Sequence, residues 1–199
     1  MADLKGEAAS LPEEPDSLGD YHHIEAGSIV MDLDVAPLWD NFNPLGMEDL
    51  KLKIQTVLTI CAAYLKFPDR GFEVSLTLVN NARMQELNET WRAQNKPTNV
   101  LSFPAHEKTD VLAALQAPSQ NIPLLLGDII MARETVDDEA KAQNKNPIDH
   151  FIHLLVHGFL HLCGHDHVDD LEAEMMEKIE TSILAEMNIA PPYAQDEQA

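Results

Sequence analysis

His157 and His161 stand four residues apart in an apolar run, FIHLLVHGFLHL, that suits a helix packed into a core. Positions four apart on a helix lie about 40° from one another and about 6 Å along its axis, so two such imidazoles can share one metal ion. Gly164 follows three residues later, where a glycine past a helical run gives the left-handed stop. A chain reversing there brings a third imidazole, His167, back toward the same point. The pattern is H-x3-H-x5-H. Three neutral imidazoles with a fourth position open to water make a catalytic rather than a structural zinc pattern, because structural sites fill all four positions with protein. A metal so held lowers the pKa of its water from about 15.7 toward 7 and acts as a Lewis acid. Zinc, one ion per chain, is the expected metal, although imidazole also accommodates nickel, copper and iron.

His153 and His165 compete for a place in this set. His153 forms a second i, i+4 pair with His157, but His153 and His161 are about 12 Å apart along a straight helix and cannot share one ion. His153 therefore reads as a support for the site or as packing. Asp166 either orients an imidazole through its ring N–H or caps a turn. No residue stands out as general base: His165, Asp166 and a metal-activated hydroxide all fit the spacing. Metalloproteases of the H-E-x-x-H type use the same two ligand positions, and the longer metzincin form adds the glycine and the third histidine. Here Gly158 occupies the position of the catalytic glutamate, which puts peptide hydrolysis second.

HGFLHLCGHDH resembles the H-G-x-L-H-L-x-G-[YH]-D-H signature of the YbeY family, bacterial metal-dependent endoribonucleases of ribosomal RNA maturation. WRAQNKPTNVLSFP, about sixty residues upstream, is similar to that family's R-x-x-x-K-P-T-[ND]-V-L-S-F-P block, and LLLGDIIMARETV to its L-G-D-I segment. With the acidic stretch DDLEAEMMEKIE, the likeness runs over roughly residues 28 to 190.

The resemblance implies His157, His161 and His167 as metal ligands and Arg92 as the cation at the phosphate. A guanidinium can fork onto two non-bridging oxygens as charge develops there. Lys96 could track the RNA backbone, while Pro97, Thr98 and Asn99 shape a turn. Ala93 stands where the family often has glycine. His165 fills a position where the family accepts tyrosine. The implied activity is cleavage of single-stranded RNA in ribosomal RNA maturation, including the 3′ end of 16S rRNA, and in ribosome quality control. The implied partners are ribosomal RNA, the small ribosomal subunit and its assembly proteins, with no DNA and no membrane. Two alternatives stay open: a metallopeptidase, and a ribosome-assembly protein whose metal only holds the fold.

The net charge of −21 opposes nucleic-acid binding, which depends on lysine and arginine neutralising phosphates. Its distribution relaxes that objection. Residues 1–50 hold 12 acids against one base and residues 166–199 hold 10 against one, while residues 51–110 hold 8 bases and 6 acids. Two cysteines, Cys61 and Cys163, are too few for a disulfide framework and read as packing residues. The acidic N-terminus resembles neither a secretory signal nor a transit peptide, and no apolar run approaches the roughly 20 residues that span a bilayer. The chain reads as cytoplasmic.

The elements that must position these residues form one α+β domain over 28–190, a mixed sheet of about four strands packed by helices. A disordered acidic arm over 1–27, holding His22 and His23, and a frayed tail over 191–199 flank it. Strands are expected at SIVMDLDV, FEVSLTLVN, NVLSFP and LLLGDIIMAR. Helices are expected at MEDLKLKIQTVLTICAAYL, at ARMQELNETWR capped by Asn80 or Asn81, at ETVDDEAKAQNK, from Pro147 through the histidines, and from Asp169 or Asp170 to about Met187. Residues 105–122 read as a loop with at most one helical turn. Asp128 is expected to satisfy a turn.

Overall fold

The computed structural model describes residues 20–26, 29–40, 42, 46–67, 71–116 and 122–193. Strands β1 (Asp20–Ala26) and β2 (Ile29–Val35) pair antiparallel. Helix α1 (Met47–Tyr64) leads to β3 (Phe72–Val79), and α2 (Asn81–Arg92) leads to β4 (Val100–Pro104). Then come α3 (Lys108–Gln116), β5 (Leu124–Ala132), α4 (Arg133–Ala142), α5 (Pro147–Leu162) and α6 (Asp170–Glu186). The sheet order is β1-β2-β3-β5-β4, with β2, β3 and β5 parallel and the two edge strands antiparallel. The described residues thus make an α+β domain with a five-stranded mixed sheet.

The fifth strand corrects two expectations. Residues 20–26 do not belong to a disordered arm but form β1 along the edge of the sheet; residues 1–19 and 27 lie outside those described. The segment DYHHIEA has little apolar content, and polar cross-strand contacts tie it instead. Tyr21 donates to Asp32 at 2.8 Å and a His23 ring nitrogen lies 2.6 Å from the same carboxylate. The expected loop over 105–122 contains α3, nine residues long. The tail is engaged as far as Tyr193: Lys145 Nζ donates to the Pro192 carbonyl at 3.1 Å, and Tyr193 donates to Glu180. Residues 194–199 lie outside those described. Asp128 sits within β5, exposed, rather than at a turn.

Helix α5 is the element around which the domain packs. Asn146 caps it through its side-chain oxygen, accepting from Ile148 N at 2.8 Å, and Pro147 occupies the first turn, where its missing N–H costs nothing. Ten of its sixteen residues are buried, as expected of a helix covered on nearly every side. It touches β4 and β5 as well as α1, α4 and α6. Phe159 packs against Phe72, and Phe151 against Trp39 and Phe42.

Strand alternation assigns the remaining helices to faces. An ideal Cβ at Gly158 of α5 would lie 3.1 Å from both Ser102 of β4 and Ile129 of β5. The neighbours Leu101, Ile130 and Ala132 turn the other way and form a separate apolar cluster with Met84 and Leu87 of α2. Helix α2 therefore covers the sheet face opposite α5, across the edge strand β4.

Candidate metal centre

His157, His161 and His167 converge, each offering a ring nitrogen within 4.8 Å of the other two. The first two project from the last turns of α5. The third follows a reversal at Gly164, whose φ of +84° lies in the left-handed region and whose N–H bonds the His161 carbonyl at 3.0 Å. Asp166 fixes that reversal by accepting the His167 backbone N–H at 2.8 Å, and its carboxylate stands 4.0 Å from His161 Nδ1. Of its two expected roles, the turn cap is the one with hydrogen-bond geometry.

The tautomers follow from the partners. His157 Nδ1 lies 2.8 Å from Glu180 Oε1, and His161 Nδ1 lies 3.0 Å from the His165 carbonyl oxygen. Both partners are acceptors, so each Nδ1 carries the proton. In the neutral rings both Nε2 atoms then hold lone pairs, and these face one another at 3.0 Å. Two lone pairs at that separation repel unless a cation lies between them. A shared proton serves two nitrogens, whereas a metal ion serves three, and the third imidazole is in place. Tetrahedral zinc with bonds of about 2.0–2.1 Å sets its nitrogens roughly 3.3 Å apart, so a small opening of the pair fits the donor set to that ion.

Burial, reinforced by the His157 and His167 imidazoles, brings the pKa of His161 down to about 4, so the ring stays a neutral donor near pH 7.

Glu180 is the functional residue that the sequence reading missed. It sits on α6 with no solvent exposure and accepts from His157 Nδ1, from His153 Nε2 at 3.0 Å and from the Tyr193 hydroxyl. Burial alone would raise its carboxyl, but these three donors outweigh it and bring the pKa to about 2. His153 is thus tied to the carboxylate behind His157. A helical projection of α6 carries the signal for Glu180: Met176, Ile183 and Leu184, at i−4, i+3 and i+4, are all buried.

Arg92 lies on a different element from His157 and His161. It ends α2 on the opposite sheet face, with an exposed side chain that makes no hydrogen bond or ion pair among the described residues. Ala93 after it adopts φ +54° as the helix stop, which accounts for a glycine preference there. Trp91, beside Arg92, packs on Phe103 of β4 at 5.6 Å. Lys96 is exposed, and the turn after it is held by Asn88 Nδ2 donating to the Lys96 carbonyl and Asn99 Nδ2 donating to Glu139.

A cleft of about 570 Å³ opens beside His161, walled by residues 104–108 and Asp110 on one side and by Gly164, His165, Asp166 and Glu172 on the other. A family model described as endoribonuclease YbeY matches residues 40–188. The chain belongs to the YbeY family. Proteins named endoribonuclease YbeY from Rhizobium etli and Azorhizobium caulinodans are 46% and 52% identical to it. The first alignment covers 74% of this chain and 85% of the relative, the second 62% and 72%. The solution structure of TM1509 from Thermotoga maritima is 23% identical with a TM-score of 0.46, over 71% of this chain and 86% of that one. The YbeY match spans the cleft, α2 and all three histidines.

Proposed function

We propose that this protein cleaves single-stranded RNA during ribosomal RNA maturation, at the 3′ end of 16S rRNA, and in ribosome quality control. In this reading one zinc ion is held by His157, His161 and His167. Hydrolytic endoribonuclease activity itself comes with membership of the family. The observation that carries the zinc reading is the pair of Nε2 lone pairs facing each other at 3.0 Å beside an open cleft.

When bound, the metal supplies Lewis acidity toward a phosphoryl oxygen and an acidified water. The protein's own groups do the rest. Glu180 and the His165 carbonyl hold the Nδ1 protons of His157 and His161, fixing which nitrogen each ring turns toward the other. Arg92 is assigned to the negative charge that gathers on the phosphate, reaching round the edge of β4. Small-subunit rRNA and its assembly proteins are the partners, in the cytoplasm; among the described residues no helix is long and apolar enough to cross a membrane.

A labelled single-stranded RNA and a fluorogenic peptide panel, each with and without chelator, test the assignment. Chelator-sensitive RNA cleavage with zinc found by elemental analysis is expected. Peptide cleavage would favour the peptidase alternative, and unfolding on chelation without turnover a purely structural metal. The close approach of Gly158 to the sheet already counts against the first: the position of a peptidase's glutamate faces Ser102 and Ile129.

A further inference from the structure

Lys108 is the one lysine or arginine among the described residues lining the cleft beside His161. Its stem is seated on the turn that carries the third histidine. A Cβ at Gly164 would come within 2.9 Å of Lys108 Cγ and 3.0 Å of its Cα, so the turn and the lysine pack in direct contact because that residue is glycine. Beyond the stem, the ammonium lies 3.3 Å from Glu172 Oε1, and both side chains are substantially exposed. An exposed pair of this kind is held by little more than about 1 kcal/mol, so it exchanges readily for a stronger partner.

The charges of the cleft explain what that partner is. Glu107, Asp110, Asp166 and Glu172 all line it, in a chain of net charge −21. A polyanion entering there meets one dication at the histidines and is repelled elsewhere, unless Lys108 neutralises the neighbouring phosphate. Arg92 is not among the lining residues. We propose that Lys108 binds the RNA phosphate next to the scissile one, on the His161 side, and that Glu172 holds the lysine in place until RNA displaces it. This deepens the RNA reading above and rests on it.

The test is steady-state cleavage of a labelled single-stranded RNA by the zinc-loaded full chain over a series of salt concentrations. Lys108→Gln should raise KM roughly tenfold, the worth of one charged hydrogen bond, with kcat little changed. The slope of log KM against log salt should fall by about 0.7, the share of one phosphate contact on a single strand. Lys108→Arg should restore the slope. Glu172→Gln should lower KM by up to about fivefold, since it frees the lysine. Zinc content and melting temperature serve as controls. A Lys108→Gln protein with wild-type KM and slope overturns the proposal, as does a Glu172→Gln protein whose KM rises like that of Lys108→Gln, because the pair would then be structural. Wild-type protein that cleaves no RNA overturns the substrate itself, and shows as much before any variant is made.

Discussion

Glu180 accepts the Nδ1 proton of His157 at 2.8 Å from a position with no solvent exposure. A carboxylate taken fully out of water is costly unless hydrogen bonds satisfy it, and here His153 and Tyr193 complete the set. The same contact leaves the opposite nitrogen of His157 with its lone pair, so Glu180 of α6 and Tyr193 of the C-terminal segment act on the histidine cluster from behind, and neither lines the cleft.

Replacing Glu180 by glutamine keeps the volume and removes the charge. Zinc affinity should fall about 10–100-fold, the usual effect of losing a partner behind a ligating histidine. Competition with a chromophoric chelator measures it. Glu180→Ala should go further and cost about 3–5 kcal/mol of stability, because it removes the buried acceptor shared by three half-buried donors. Unchanged zinc affinity in Glu180→Gln would remove the carboxylate from the metal centre.

Acid should weaken the metal-free protein in two successive windows. The unfolded chain protonates His161 near its ordinary 6.5, the folded protein only at about 4. The unfolded state therefore binds more protons between those values, and stability falls as pH drops through them. His153, lowered chiefly by burial, acts in the same direction. Glu180, shifted from 4.5 to about 2, extends the loss below pH 4.5. Melting temperatures should drop more steeply from pH 6.5 to 4 in the wild type than in His161→Gln, and parallel curves would contradict the shift.

The histidine spacing was legible because a helix turns local sequence distance into geometry, and Gly164 announced the reversal. Strands β2 to β5 showed through their alternation or β-branched content. Strand β1 did not, since an exposed edge held by Asp32 needs few apolar residues. Glu180 was hidden among the acids of α6, where composition suggests a solvated face and only the apolar residues around it mark it as buried. The face on which α2 lies depends on which way β4 turns its side chains, and that is a tertiary fact.

Gly158 tests the close packing of α5 on the sheet. Gly158→Ala places a methyl 3.1 Å from Ser102 Oγ and Ile129 Cγ2, and should cost about 1–3 kcal/mol in denaturant unfolding while keeping zinc. Gly158→Glu, which installs the residue a peptidase uses there, should unfold the protein rather than change its substrate. A folded Gly158→Glu protein that cleaves peptides would sink both the packing argument and the ranking of the two hydrolases.

Arg92 offers the sharpest test of how the substrate runs. Its side chain is exposed and unpaired among the described residues, so Arg92→Ala should leave fold and zinc content intact. If the guanidinium reaches round the edge strand to the phosphate, cleavage should nevertheless fall about 10²–10³-fold, by analogy with losing one donor to a developing oxyanion, roughly 2.7–4 kcal/mol. Arg92→Lys should recover little, because a point charge does not reproduce the bidentate fork. The RNA must then cross the free edge of β4, touching α2 on one face of the sheet and the histidines beyond the other. Near wild-type cleavage by Arg92→Ala would confine the substrate to the α5 face, leaving Lys108 as the cation that meets it in the cleft.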